Sequence, residues 1–259
     1  MIRVEKTLRD RREQGLGSLV GYFPAGYPSA EESIEALVSM ASGGCNVLEI
    51  GIPYSDPVMD GPVIQRATEL ALANGFKVAD VFQVIRGVRA KSDIPILVMS
   101  YWNPIIAFGL ERFCENLVAA GGQGLITPDL IPDEASNWIE ISENMNLERV
   151  FLAAPSSSDK RVEATTNASR GFVYAVSTMG ITGERAQLDG LARSVVTNIR
   201  QFGDRPACVG VGVSTPSQVR EVNSYADGAI VGTAFIRAYE DAGISGLQAK
   251  VTELASGLN

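Results

Sequence analysis

The sequence predicts an α/β fold: a (β/α)8 barrel of the TIM-barrel class, built as one domain over residues 1–259 with a helix ahead of the first strand. Three observations predict it. The chain has 259 residues, close to the ~250 typical of one such barrel. Short apolar, β-branched runs recur along it, separated by segments with helical periodicity. The runs are near-continuously hydrophobic rather than alternating, as strands of a parallel sheet buried on both faces are. An open doubly wound sheet shares this pattern, because periodicity alone does not close a sheet. The number of units in a chain of this length favours closure.

Taken in order, the opening segment MIRVEKTLRDRREQG is charged and lacks the apolar core of a signal sequence. Strands follow near Leu19–Phe23, Val47–Ile50, Ile94–Ser100 and Gly124–Thr127. Four more lie near Val150–Ala153, Phe172–Val176, Ala207–Val211 and Ala229–Val231. Between them, AEESIEALVSMASGG and LERFCENLVAAGG carry apolar residues at helical spacing. Ser29 before Glu31 and Glu32, and Thr215 before Pro216, have the chemistry of helix starts. Gly43–Gly44 and Gly121–Gly122 have that of helix stops. No linker, low-complexity stretch or charge block suggests a second domain.

The net charge of −8 leaves no basic stripe for a polyanion, so nucleic acid and anionic membrane are poor partners, and no run approaches a membrane span. A phosphorylated metabolite would have to be held by local backbone donors against the overall field. Cys45, Cys114 and Cys208 are odd in number and widely spaced, fitting reduced packing thiols in a cytoplasm rather than disulfides or a zinc site. The chain contains no histidine. Ser-His, Cys-His and His-metal chemistry are thereby excluded, and acid–base work falls to carboxylates, Lys, Tyr or Cys.

One strand end stands out. Glu49 interrupts the apolar run Val47-Leu48-Glu49-Ile50, and strand parity puts Val47 and Glu49 on one face, Leu48 and Ile50 on the other. Pointing inward, Glu49 would sit at the C-terminal mouth, where barrel enzymes keep their chemistry. Burial there would raise its pKa and suit it to exchange protons near neutrality. An ion pair with a neighbouring Arg or Lys, or a loop cap, is the structural alternative. The following loop holds Pro53, Pro57 and Pro62, and Asp56 and Asp60 come before any Lys or Arg until Arg66. That is more negative charge than a purely structural loop needs, although Asp56-Pro57 is read first as a turn device.

The last third carries three glycine-bearing segments: Gly180-Ile181-Thr182-Gly183, Gly210-Val211-Gly212-Val213-Ser214 and Gly228-Ala229-Ile230-Val231-Gly232-Thr233. Each alone is an ordinary turn. In register with barrel loops 6, 7 and 8, they match the usual phosphate site, where backbone N–H groups and a helix start meet the anion without needing Lys or Arg.

The run LEIGIPYSDPVMDGPVIQ resembles the signature segment of the tryptophan synthase alpha subunit family, and the likeness extends from Tyr22 to Thr233 with order and spacing kept. The resemblance implies retro-aldol cleavage of indole-3-glycerol phosphate to indole and glyceraldehyde 3-phosphate. It implies that Glu49 is the acid–base group and that Asp60 binds the indole ring nitrogen. Gly183, Gly212, Gly232 and Thr233 are implied to bind phosphate, Tyr22 and Tyr174 to line the pocket, and Thr182 to belong to a closing loop 6. Asp56, Pro57, Asn103 and Pro104 are implied to meet a beta subunit, in an alpha2-beta2 heterotetramer. No metal is implied, and pyridoxal phosphate would belong to the beta partner. Many family members carry an acid where Gln123 stands, so electrostatic coupling of that position to loop 6 would lack its charge here. A barrel enzyme for another phosphorylated sugar would share the glycine loops but not Asp60. A silent activator of a beta subunit would not need the acid pair.

Overall fold

Strands that are apolar on both faces need cover on each side, and the amphipathic segments between them supply it. The computed structural model describes residues 3–176 and 185–258, with backbone alone for 185–189. Among the described residues, nine strand segments form one sheet: β1 (Leu19–Pro24), β2 (Val47–Gly51), β3 (Ile96–Met99), β4 (Gly124–Ile126), β5 (Glu148–Val150), β6 (Leu152–Ala153), β7 (Val173–Val176), β8 (Ala207–Gly210) and β9 (Gly228–Val231). The first helix, α1 (Val4–Glu13), precedes the sheet; α2 (Ala30–Gly43), α3 (Pro62–Ala73), α4 (Val81–Arg89), α5 (Trp102–Phe108) and α6 (Leu110–Ala120) cover its first half. Its second half is covered by α7 (Ser136–Asn144), α8 (Asp159–Ala168), α9 (Arg185–Phe202), α10 (Pro216–Asn223) and α11 (Thr233–Ala255).

The strand order is β5-β4-β3-β2-β1-β9-β8-β7-β6, parallel throughout, and β5 and β6 are separated by Phe151 alone. β5 pairs with β4, β6 with β7, so one stretch joins both edges and closes the barrel. This corrects the strand expected at Val150–Ala153, which begins earlier and breaks at Phe151. The Phe151 N–H donates to Ser169 Oγ (3.4 Å) instead of to a strand carbonyl. Its first residues, Glu148 and Arg149, are charged yet each only 2% exposed. Arg149 donates to Ala168 O (2.5 Å), Ser142 Oγ (2.9 Å) and Glu143 Oε1 (2.9 Å), which satisfies the buried guanidinium. The strand expected at Ile94–Ser100 is shorter, because Pro95 has no N–H to give to a ladder.

The expected helix starts form. Ser29 Oγ accepts from the Glu32 N–H (3.2 Å) and donates to the Glu32 carboxylate (3.0 Å), while Gln218 Oε1 accepts from the Thr215 N–H (3.1 Å). α2 ends at the Gly44 cap and α6 at Gly121.

Two apolar layers follow from strand parity. Leu48 and Ile50 pack outward against the helices, and Val20, Val47, Leu97, Ile126, Val150, Cys208 and Ile230 pack inward. α1 closes the N-terminal end by placing Val4 and Leu8 against that inner layer. Burying them stabilises the closed end by about 1.5–3 kcal/mol each. The Glu148 carboxylate accepts from the N–H groups of Val4 (3.1 Å) and Glu5 (3.0 Å), amides that a helix start leaves without partners. Gln123 lies at this same end, immediately before β4, where its side-chain oxygen accepts from the Ile96 N–H (3.0 Å). Gln123 thus ties the start of β4 to that of β3, at the opposite end of the strand from the barrel mouth.

Candidate active site

At the other end the strands stop around a cavity of about 650 Å³. Glu49 is the third residue of β2, in register with Tyr22 on β1 and Leu97 on β3. It shares the inward face of Val47 and lines the cavity, as parity predicts. The side chain is 1% exposed, and its Oε2 has no hydrogen-bond partner. Burial, followed by the neighbouring charge of Asp60, pushes the carboxyl up to about 8. An ion pair, the structural alternative, would have lowered it.

Asp60 reaches the same cavity from the loop after β2, and burial pushes it up to about 6. Its backbone is held from several sides. The Asp60 N–H donates to Pro57 O (3.0 Å), and Gln65 Nε2 donates to Asp60 O (2.9 Å). Next to it, the Met59 N–H donates to the Tyr101 hydroxyl (2.8 Å). The Tyr54 and Tyr101 rings lie 5.2 Å apart, and Asn103 Nδ2 donates to the Tyr54 hydroxyl (3.3 Å). The loops after β2 and β3 thus form one clamp that fixes Asp60.

Tyr22 and Tyr174 both line the cavity. They fit because neighbouring strand positions carry no side chain: a Cβ on Gly51 would fall 2.3 Å from the Tyr22 hydroxyl, and one on Gly210 would fall 2.6 Å from that of Tyr174. Burial first, then the Glu49 and Asp60 charges, push both phenols well above their ordinary value, so they are neutral donors. At the far end, Gly212 after β8 and Gly232 and Thr233 after β9 face the same space. Thr233 opens α11, whose first N–H groups have no partner within the helix. Thr182 and Gly183 lie outside the described residues.

Other wall residues were missed by sequence reasoning: Met59, Ile64, Met99 and, from within α11, Arg237, Asp241 and Lys250. Spacing of four and eight residues from Thr233 is the signal that could have placed Arg237 and Asp241 on its face. Nothing local marks Lys250. Of the positions expected at a partner surface, Asp56 is exposed and accepts from Ser55 Oγ (2.6 Å), Asn103 is exposed, and Pro57 is half-buried. Pro104 departs from that expectation, because it is buried in the first turn of α5 and shapes the loop from within. Beside Asp56 and Asn103, Val58 and Ile106 are 82% and 51% exposed. Among the described residues there is no cluster of three metal-ligating side chains and no helix long and apolar enough to cross a membrane.

A closed parallel barrel with a buried glutamate and a partly buried aspartate at its mouth is a (β/α)8-barrel enzyme working by carboxylate acid–base chemistry. Residues 8–257 match the model of a family described as tryptophan synthase alpha chain, and the chain belongs to that family. It is 51% identical over 257 residues to the tryptophan synthase alpha chain of Leifsonia xyli subsp. xyli, covering 99% of this chain and 98% of that one. With the Thermobifida fusca alpha chain it shares 50% identity, over 93% and 90% of the two chains. Among solved structures, an aminoacrylate-bound tryptophan synthase from Mycobacterium tuberculosis superposes with a TM-score of 0.92 at 41% identity, over 100% of both chains. The tryptophan synthase complex from Pyrococcus furiosus gives 0.83 at 32% identity, over 92% and 98%. The activity is accordingly that of a lyase, the alpha reaction of tryptophan biosynthesis: indole-3-glycerol phosphate is cleaved to indole and glyceraldehyde 3-phosphate.

Proposed function

We propose that Glu49 carries both proton transfers of the alpha reaction and that Asp60 stabilises the charge that develops on the indole nitrogen. The observation that carries this reading is the unpartnered Oε2 of buried Glu49, in the wall of the cavity that Asp60 also lines. In its acid form, Glu49 donates its proton to the ring carbon that bears the side chain. The resulting indolenine carries positive charge at its N–H, which hydrogen-bonds to the Asp60 carboxylate. The Glu49 carboxylate then takes the proton of the side-chain hydroxyl. The carbon–carbon bond breaks, its electron pair returns to the ring, and indole and the aldehyde leave with Glu49 again in its acid form.

Tyr22 and Tyr174 flank the ring in this reading. Gly212, Gly232 and Thr233, joined by Gly183, hold the phosphate, and Thr182 belongs to the loop that closes over it. The beta subunit docks on the face carrying Asp56, Pro57 and Asn103 in an alpha2-beta2 assembly, and the exposed Val58 and Ile106 suit an apolar partner there. The alpha chain carries no cofactor of its own in this family, and pyridoxal phosphate resides in the beta subunit. We read residues 1–259 as one barrel domain and its location as cytoplasmic, which three buried free thiols suit.

Indole release from indole-3-glycerol phosphate, measured with and without the beta subunit, tests the assignment. Glu49→Gln is expected to lower kcat by about 10²–10⁴, the range for a general acid–base group. Retained activity in that variant would overturn the role of Glu49.

A further inference from the structure

The phosphate end carries charges that no glycine motif announces. We infer that Arg237 and Lys250 form a cationic clamp on the substrate's phosphate monoester, with Asp241 as a counterweight that limits its strength. The inference rests on the reading of the Gly212/Gly232/Thr233 end as the phosphate site.

Thr233, Arg237 and Asp241 stand four residues apart on α11 and therefore share one face, which lines the cavity. At the usual rise, Arg237 lies about 6 Å beyond Thr233 along the axis. Helical side chains lean toward the N-terminus, so its guanidinium is directed back to the Thr233 end. Lys250 would be about 25 Å away on a straight helix. It is brought in because the helix kinks at Ala242 (φ −147°, ψ 21°) and Gly243 (φ 62°, ψ −151°). The left-handed φ at position 243 favours glycine. Past the kink, a Cβ on Gly246 would lie 2.6 Å from Ala238 O, so the second half of α11 folds close against the first. Lys250 thereby faces the same cavity.

Both cations are free to engage an anion. Among the described residues the Arg237 side chain makes no ion pair or hydrogen bond. Among the described residues Lys250 Nζ bonds only to the half-exposed Glu253 (3.0 Å), a surface pair of the kind that contributes little. A phosphate dianion approaching a chain of net charge −8 is repelled overall, and a helix start offsets only about half a charge. Two cations on the cavity wall outnumber Asp241 at this end and supply charged donors for phosphate oxygens.

The test uses the full chain with its beta subunit. KM and kcat for indole-3-glycerol phosphate are measured with competitive inhibition constants for inorganic phosphate and, as a control for the ring end, for indole. Arg237→Gln with Lys250→Gln is expected to raise KM and the phosphate constant roughly threefold to tenfold. In that variant kcat and the indole constant hold, and the dependence of kcat/KM on ionic strength flattens. Arg237→Lys recovers part of the loss, and Asp241→Asn tightens phosphate. An unchanged phosphate constant in the double variant overturns the clamp alone. Failure of phosphate to compete in the unaltered chain overturns the phosphate-site reading, and the clamp with it.

Discussion

The two ends of the barrel each bury a glutamate beside a cavity of similar size, about 650 Å³ at the mouth and about 640 Å³ alongside α1, yet they do opposite things with it. Glu148, 2% exposed, accepts from the Val4 and Glu5 N–H groups and lies 3.6 Å from Arg3 Nε. Burial raises its pKa, and those partners pull it back. Its neighbours are paired as well: Glu5 with Arg9 (3.0 Å) and Arg149 with Glu143 (2.9 Å). Glu49, 1% exposed, has an oxygen with no partner and an acid for a neighbour. Desolvation is common to both; pairing is what separates them. A paired buried acid fastens α1 to the barrel, while an unpaired one holds its proton into the neutral range, where it can be passed to a substrate.

The contrast breaks first at Glu49. Beyond its kinetic loss, Glu49→Gln should change stability with a definite sign. The folded carboxyl titrates about 8 against an ordinary value of 4.5, so between those values the folded state binds more protons than the unfolded one. The native chain therefore loses stability as pH rises through that window, by about 1.4 kcal/mol for each pH unit crossed. The stability of Glu49→Gln relative to the native chain should be flat below about 4.5, climb to about 8, and level off above. Chemical denaturation at several pH values measures it, and a pH-independent difference would sink the raised titration.

At the other end the expectation reverses. Glu148→Gln removes the charge that the α1 amides and Arg3 share, and should cost about 1–3 kcal/mol of stability. Its kcat should stay at the native level, since the residue lies under α1 and not at the mouth. A fall in kcat without loss of stability would show that the two ends are not separable in this way.

The same distinction decides what is legible in the sequence. Glu49 can be read because strand parity is local: a charged residue two positions from Val47 must share its face. Glu148 and Arg149 cannot, because the partners that let them be buried in a strand, Val4 and Glu5 in one case and Ser142 and Ala168 in the other, are contributed by separate elements. Apolar patterning therefore starts the strand at Val150, two residues after it begins. Lys250 needs a helix kink that a single glycine, Gly243, makes possible but does not announce. The glycine loops and the acid loop are visible because their chemistry lies in consecutive residues.

The smallest effect tests how the two acids at the mouth share one field. With Asp60 ionised above about 6 and Glu49 protonated below about 8, kcat/KM should form a bell between limbs near those values, which belong to the pair and not to either residue alone. Burial is the larger cause of the raised Glu49 pKa and the Asp60 charge the smaller. Asp60→Asn removes only the smaller one, so the Glu49 titration should fall but stay well above the ordinary value of 4.5. Infrared titration of the carboxyl band, with Glu49→Gln in the same background to assign it, reads this without relying on the weakened activity. A Glu49 titration that returned fully to the ordinary range in Asp60→Asn would make the neighbouring charge, and not burial, the device that keeps this proton in place.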